Sequence, residues 1–266
     1  MESLAMYKAG TDVPGPPTSP DEQQLRCDLA AAYRAAALFG WDDMIGTHIT
    51  VRVPGDRQTP EAFLINPYGL LFEEVTASSL VKVDVEGNIL SETRYPVNKA
   101  GFVVHSAVHR ARSNAGCVMH LHTQNGVAVS SLEEGLLPLN QTALIIRGKI
   151  GVHEYEGPTL SPGERERMAT SLGDHDLMFL RNHGTMAVGA TVAEAFQRMY
   201  LLERACSYQV RTLSMGLSWH TPAQEVIDET YAKYGFRDPH SEHYARNLFW
   251  PALLRKLDRV CPDYSQ

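Results

Sequence analysis

The sequence predicts a mixed α/β chain whose central sheet is mostly antiparallel. Helical and strand patterns mix along the chain without the regular strand–helix–strand rhythm of a doubly wound parallel sheet. The 266 residues are 44% hydrophobic and 21% charged, a normal balance for a chain with a large core, which excludes wholesale disorder. Neither GxGxxG nor GxxxxGK[ST] is present, so nucleotide binding by those loops has no support.

The charge balance excludes two further classes of protein. Lys and Arg number 24 against 31 Asp and Glu, which gives a net charge of −7, whereas nucleic-acid and anionic-membrane binders need a basic face. No run approaches the roughly 18 apolar residues of a membrane span, and the N-terminus lacks the pattern of a secretory signal. The four cysteines form no CxxC motif, so we expect a cytoplasmic protein with reduced thiols, without a nucleic-acid or membrane partner.

Periodicity predicts the elements of the first half of the chain. Four prolines and few large apolar residues predict a flexible arm over residues 1–20. From Asp21, apolar residues recur at helical spacing after an acidic first turn, and Gly40 stops the helix. Alternating residues then predict strands, and a Val-Glu-Gly turn predicts a hairpin. These strands are 47–53, 62–66, 80–84 and 88–90.

The second half of the chain likewise alternates between the apolar spacing of helices and that of strands. Its predicted helices are 102–112, 124–132, 163–172 and 192–213, followed by two helices within 221–258. Its predicted strands are 117–122, 142–147, 150–155 and Leu177–Leu180. We assign 21–220 to one main domain and 221–266 to a helical extension packed on it.

Three histidines have the spacing of metal ligands. His120 and His122 are two residues apart on a predicted strand, which places both imidazoles on the same face of the sheet. His183 follows another predicted strand, just before Gly184, where the backbone can turn sharply. A lone histidine in such a place is more often a hydrogen-bonded core residue, but this combination favours a divalent-metal site.

The other histidines carry weaker signals. His105 and His109 are four residues apart on one face of a helix, which resembles half of a zinc site. The glutamate of an HExxH motif is absent, so a packing or capping role is favoured for this pair. The remaining histidines lack partners in the sequence and are predicted to be ordinary: His48, His153, His175, His220, His240 and His243.

Four segments together resemble the class II aldolase/adducin family, in its adducin-like bacterial branch. They are HLHTQNG, RNHG, NPYGLLFEEVTASSLVKVD and NKAGFVVHSAVHRAR, and the resemblance runs from about Asp21 to Gly216. It implies a three-layer α/β/α sandwich with a central, mostly antiparallel sheet. It also implies a homotetramer with active sites between neighbouring subunits, and metal ligation by His120, His122 and His183.

The chain departs from the sugar-phosphate aldolases of this family at the acid/base position. The Ser-Ser-Glu segment of those enzymes falls on Lys99-Ala100-Gly101, so Gly101 replaces the glutamate that transfers protons. Their phosphate-binding segments fall on Gly46-Thr47-His48 and on Asn66-Pro67-Tyr68-Gly69. Tyr68 and Phe72 suit a flatter, more apolar substrate than a phosphate.

The residues and the resemblance together predict a metal-dependent enzyme of the lyase or decarboxylase type. Its expected substrate is a small 2-oxo or 2-hydroxy acid, aromatic acids included, chelated to one zinc, iron or manganese ion. His105 is the candidate for proton relay, and Lys99 is expected to pair with the substrate carboxylate. Asn66, Tyr68 and Thr47 are further candidates for substrate binding.

Two alternatives remain open at this stage. The first is a non-haem Fe(II) oxygenase that decarboxylates an aromatic 2-oxo acid oxidatively, although three histidines without a carboxylate differ from the usual iron site. The second is a non-catalytic, adducin-like binding module. The three histidines with metal-ligand spacing favour an enzyme over the binding module.

Overall fold

A sheet of seven strands is the centre of the fold in the computed structural model, which describes residues 20–55, 60–157, 163–234, 236 and 238–266. The arm predicted for residues 1–20 lies outside these ranges, except for Pro20, where the first helix begins. The strands are β1 (His48–Val53), β2 (Ala62–Ile65), β3 (Val81–Val83), β4 (Cys117–Leu121), β5 (Ile150–His153), β6 (Leu177–Leu180) and β7 (Gly184–Gly189). The helices are α1 (Pro20–Leu38), α2 (Lys99–Ala111), α3 (Gln124–Ser130), α4 (Gln141–Ile146), α5 (Glu164–Leu172), α6 (Val192–Ser214), α7 (Gln224–Lys233), α8 (Pro239–His243) and α9 (Trp250–Val260).

The strand order is β3-β2-β1-β4-β7-β6-β5. Every neighbouring pair is antiparallel except β5 and β6, which are parallel. The predicted sheet, central and mostly antiparallel, is therefore confirmed.

Alternate residues of β4 show how helices cover both faces of the sheet. Met119 and Leu121 belong to the largest core cluster, which includes Leu29 of α1 and Phe196 of α6. Val118 faces the other way and packs in a cluster with Met168 of α5 and with a valine of α2. Because successive strand side chains point to opposite faces, helices on both sides give the three layers that were predicted.

In the second half, one predicted strand is wrong and one real strand was missed. The segment 142–147 is mostly the helix α4, because the Asn140 side chain accepts the Ala143 backbone N–H and caps its first turn. The strand β7 was not predicted at all. Glycine and alanine occupy three of its six positions, and a strand buried on both faces has no alternation for a period-two search to find.

Smaller differences concern the hairpin and the C-terminus. The predicted strand at 88–90 contributes only a single bridge, between Ile89 and Val83 of β3. The two C-terminal helices predicted within 221–258 are α7 and a longer helix in which α8 continues through a π-helical segment, Tyr244–Phe249, into α9. Pro251 in the first turn of α9 has no N–H to donate, which accounts for the local change of helix type.

The C-terminal helices are tied to α1 and α6 by polar contacts. The Trp250 indole N–H donates to Asp28 of α1 at 2.9 Å, and Arg246 pairs with Glu194 of α6 at 2.5 Å. Beyond α9, Asp263 pairs with Arg34 at 2.8 Å. Among the described residues, no helix combines the length and the apolar character needed to cross a membrane.

The hydroxyl of Tyr33 joins α1 to the sheet. It accepts the Ile49 backbone N–H at 2.7 Å, and Asn66 Oδ1 lies 2.9 Å away. The tyrosine side chain is fully buried, so no water is available to replace these partners.

We therefore expect Tyr33→Phe to lower the free energy of unfolding by about 1–3 kcal/mol, because a buried N–H loses its acceptor. The measurement is equilibrium denaturation in urea. Tyr208→Phe is the matched control, since Tyr208 is exposed and its hydroxyl accepts from the guanidinium of Arg204, also exposed, at 2.6 Å. Equal losses in the two variants would contradict the role given to Tyr33.

Candidate functional site

Three histidines converge at one end of β4. His120 lies in β4, His122 directly follows this strand, and His183 lies in the turn that connects β6 to β7. Their ring centroids are 4.7–4.8 Å apart, and one nitrogen from each ring lies within 4.8 Å of the others. The fold therefore brings together the three histidines that the sequence proposed as metal ligands.

The hydrogen bonds of the first two rings determine which nitrogen carries the proton. His120 Nδ1 lies 3.1 Å from the carbonyl oxygen of Thr185, and His122 Nδ1 lies 2.9 Å from Asp43 Oδ2. Both partners are acceptors, so both Nδ1 atoms are donors and both Nε2 atoms carry a lone pair. These two Nε2 atoms lie only 3.1 Å apart, so a shared proton or a metal ion between them would remove the repulsion of their lone pairs.

A divalent ion fits this arrangement. Two imidazole nitrogens bound to one ion at 2.0–2.1 Å lie about 2.9–3.4 Å apart at ordinary coordination angles. An Nδ1–H that donates to a carboxylate or to a backbone carbonyl is the usual support of a metal-binding histidine, because it orients the ring and raises its basicity. Asp43 and Thr185 supply these two acceptors.

Burial keeps the rings of His120 and His183 in the neutral form that binds a metal. Loss of solvent lowers the pKa of His120 well below its usual value, and nearby histidines lower it further. The pKa of His183 falls to about 4, first because of burial and then because of His122. Deprotonated imidazoles are the form required for coordination.

The backbone around the site adopts rare conformations. Met44 and Thr47 have φ of 49° and 40°, and Asn182, next to His183, has φ of 56°. Gly184 approaches β4 so closely that a Cβ there would lie 2.5 Å from the Leu121 carbonyl oxygen. Such strained positions persist where the surrounding structure overdetermines them, which is common at functional sites.

The three histidines line a cavity of about 260 Å³. Thr47 also lines it, and its buried hydroxyl has no hydrogen-bond partner among the described residues. Three glutamates and one arginine contribute to the same wall: Glu154, Glu156, Glu164 and Arg181. The Arg181 guanidinium is already held by the carbonyl oxygens of Leu132 and Glu133.

A second group of polar side chains lies behind the cavity and was missed from the sequence. His48 lines the cavity, and its Nδ1 lies 2.9 Å from His105 Nε2. Thr50 Oγ1 lies 2.8 Å from both His105 Nδ1 and His109 Nε2. His109 Nδ1 lies 2.9 Å from the Ala115 carbonyl oxygen. The sequence analysis predicted that His48 is an ordinary histidine without a partner. This prediction is wrong, because His48 lines the cavity and contacts His105.

Burial also keeps this second group neutral. It lowers the pKa of His48 to about 4 and that of His109 to about 3, and it lowers the pKa of His105 well below its usual value. His105, the predicted relay residue, lies one step behind His48 and is absent from the cavity wall. The signal that was available is the pairing of His48 and Thr50, which share a face of β1, with His105 and His109, which share a face of α2.

Three of the four predicted substrate-binding residues do not line this cavity. Asn66 is buried and its side-chain oxygen contacts the Tyr33 hydroxyl. Tyr68 is partly exposed, and Lys99 is exposed with its ammonium 3.5 Å from Asn88 Oδ1. Of the four candidates, only Thr47 lines the cavity.

Comparison with known proteins shows the family. The model of the class II aldolase and adducin N-terminal domain matches residues 27–210. A Caulobacter vibrioides protein, provisionally named as an aldolase class 2 protein, is 52% identical over 245 residues, which cover 92% of this chain and 93% of the relative. The chain belongs to the class II aldolase and adducin family.

Two solved structures show the same fold. The crystal structure of an aldolase II superfamily protein from Pseudomonas syringae matches with a TM-score of 0.86 and 43% identity, over 94% of this chain and 98% of the other. The L-fuculose 1-phosphate aldolase from Glaciozyma antarctica PI12 matches with a TM-score of 0.77 and 27% identity, over 94% and 97%. The three-layer fold is therefore shared with an L-fuculose 1-phosphate aldolase.

If Asp43 orients His122 toward a metal ion, Asp43→Asn should weaken zinc binding by about 10–100-fold, because an amide lacks the charge that stabilises the donating Nδ1–H. Competition with a chromophoric chelator measures the affinity. Asp42→Asn removes the same charge from the adjacent exposed residue and should leave the affinity unchanged. Equal affinities in the two variants would rule out the orienting role.

The buried neutral histidines should make the fold sensitive to acid. Their pKa values in the folded state lie below the ordinary value of about 6.5, so the unfolded chain alone takes up protons as the pH falls below 6.5. Each such histidine lowers the free energy of unfolding by up to about 1.4 kcal/mol per pH unit, until the pH reaches its folded-state pKa. His48, His105 and His109 together contribute up to about 4 kcal/mol per pH unit near pH 5, and in the metal-free protein His120 and His183, whose pKa values are also lowered, add to this slope.

Denaturation of the metal-free protein between pH 7 and pH 4.5 measures this slope. His109→Gln should reduce it by about 1.4 kcal/mol per pH unit, whereas His220→Gln, at an exposed position, should leave it unchanged. If the wild type, His109→Gln and His220→Gln all have the same slope, the pKa of His109 is the same in the folded and unfolded states, and the prediction is wrong.

Proposed function

We propose that this member of the class II aldolase and adducin family is a metal-dependent lyase or decarboxylase, which cleaves a C–C bond of a small 2-oxo or 2-hydroxy acid. In this proposal His120, His122 and His183 hold one zinc, iron or manganese ion. The observation that carries it is the pair of Nε2 lone pairs of His120 and His122, 3.1 Å apart, facing His183 in an open cavity.

A bound divalent ion supplies Lewis-acid polarisation of an oxygen of the substrate. With three protein nitrogens as ligands, positions remain for the carboxylate and the adjacent oxygen of a 2-oxo or 2-hydroxy acid. The Thr47 hydroxyl supports binding at the same wall, because it is buried without a partner and a hydrogen bond to the substrate would remove the cost of that burial.

The composition of the cavity favours an acid without a phosphate group. Three glutamates line the cavity against one arginine, and Arg181 is already shared between the carbonyl oxygens of Leu132 and Glu133 and the carboxylate of Glu154, 3.8 Å from its Nε. This balance of charge disfavours a phosphate dianion. The ring of Tyr155 lies 6.5 Å from that of His183 and is half exposed, so it offers a flat apolar surface. These features support small acids, aromatic ones included, and distinguish this cavity from a site for sugar phosphates.

We further propose a cytoplasmic homotetramer with active sites between subunits. Met44 and Ile45 are exposed beside Asp43, as is Tyr155 at the cavity, and such apolar surface next to a site suits coverage by a neighbouring subunit. Lys99 and Tyr68 are surface residues that such a neighbour would contribute. The four cysteines are free, in agreement with a reducing compartment.

The metal content of protein purified without oxygen tests the proposal. We expect close to one divalent ion per chain by elemental mass spectrometry, and a loss of this ion in His120→Ala. His220→Ala, at an exposed position, should retain it. If the protein holds no ion even after zinc, manganese and iron are added, the proposal of a metal-dependent enzyme is wrong, and the adducin-like binding module is the remaining alternative.

The identity of the ion then selects the assay. With zinc or manganese, a panel of 2-oxo and 2-hydroxy acids should yield an aldehyde or carbon dioxide, detected by NMR, and His120→Ala should abolish this turnover. Iron together with oxygen uptake on an aromatic 2-oxo acid would instead establish the oxygenase alternative and overturn the lyase.

A further inference from the structure

Gly101, in the first turn of α2, leaves space that the side chain of His48 fills. A Cβ built at Gly101 would lie 2.1 Å from His48 Nε2 and 2.4 Å from its Cδ2. No real Cβ tolerates such distances, so any side chain at 101 would displace the His48 ring. His48 Nε2 therefore occupies the space into which a side chain at position 101 would begin to extend.

The hydrogen bonds behind His48 permit only one tautomer when all the rings are neutral. The Ala115 carbonyl oxygen can only accept, so His109 Nδ1 carries a proton and its Nε2 is an acceptor. Thr50 Oγ1 must then donate to His109 and accept from His105 Nδ1–H. His105 Nε2 is left as an acceptor for His48 Nδ1–H, and His48 Nε2 keeps its lone pair.

This arrangement is held rigidly. Thr50 and His105 are completely buried and His109 is 2% exposed, so water does not compete for their hydrogen bonds. The ring of His48 lies beside that of His120, with centroids 5.6 Å apart, yet its nitrogens fall outside the group of three that converges on one point. His48 thus presents a nitrogen with a fixed lone pair next to the candidate metal centre without belonging to it.

We propose that His48 is the proton-transferring catalytic residue of this site, with Thr50, His105 and His109 as positioning residues that keep its Nε2 unprotonated and directed at the cavity. The inference rests on the proposed function. With a 2-oxo acid bound, Nε2 takes a proton from the carbon next to the carbonyl group. That C–H bond breaks, its electron pair moves towards the carbonyl oxygen, and the reverse step returns a proton from Nε2 to the carbon.

Hydrogen–deuterium exchange at the methyl group of pyruvate, followed by NMR in D2O with zinc-loaded protein, isolates this step. We expect the wild type to catalyse exchange and His48→Asn to lose about 100-fold or more, with unchanged zinc affinity. Asparagine retains a donor near the Nδ1 position, so the contact with His105 survives while Nε2 is removed. His175→Asn, at an exposed position, is the control and should exchange as fast as the wild type.

Two variants test the geometry. Gly101→Ala should displace His48 and slow the exchange, although alanine ordinarily stabilises a helix relative to glycine. Thr50→Val removes the hydroxyl between His105 and His109 and should slow the exchange by about 10-fold or more, whereas Thr50→Ser should restore it. Wild-type rates in both Gly101→Ala and Thr50→Val would overturn the positioning scheme.

The tautomer of His48 gives a readout that needs neither metal nor substrate. Long-range 1H–15N correlation spectra of the metal-free protein should show a protonated Nδ1 and an unprotonated Nε2 for His48, and Thr50→Val should mix the two tautomers. A protonated Nε2 in the wild type would overturn the inference. Failure of the proposed function is distinguishable, because the zinc-loaded wild type would then show no exchange while the tautomer remained as expected.

Discussion

The register of β4 between β1 and β7 is the constraint on which the site depends. His120 pairs with His48 on one side and with Met186 on the other, so the two histidines share the face of the sheet that α2 and α5 cover. A slip of one residue would turn both rings into the opposite layer. The same register places Thr185 where its carbonyl oxygen accepts from His120. Pairing of the strands therefore positions the rings before any metal contributes.

The fold can bury so many imidazole rings only because nearly every donor and acceptor on them has a hydrogen-bond partner. Each buried donor or acceptor without a partner would destabilise the fold by on the order of 1–3 kcal/mol. The chain of contacts from His48 to the Ala115 carbonyl oxygen satisfies five ring nitrogens and one hydroxyl in sequence. Three buried side-chain atoms of the described residues have no hydrogen-bond partner: the Thr47 hydroxyl, Asn140 Nδ2 and His153 Nε2. Thr47 and His153 line the cavity, so two of the three unpaired atoms belong to residues beside which a ligand would be bound.

Much of the fold followed from periodicity, and the failures have physical causes. The long helices α1 and α6 have one apolar face and defined ends, and both were predicted closely. The strand β7 escaped notice because both of its faces are buried and half of its side chains are small. The helix α4 was taken for a strand because its Ile-rich segment outweighed a single asparagine cap. Local propensity is a weak guide where tertiary burial determines the outcome.

The sequence by itself determined the sheet-centred architecture, the family and the convergence of His120, His122 and His183. Spacing along a strand and a turn after a strand are local properties, which the chain encodes directly. The tertiary structure alone decided the role of His48, because that role depends on an absent side chain at Gly101 and on partners 57 and 55 residues apart in the chain. It also showed that Asn66 serves the core instead of the cavity. Contacts between distant segments depend on how helices pack against the sheet, and no local pattern records that packing.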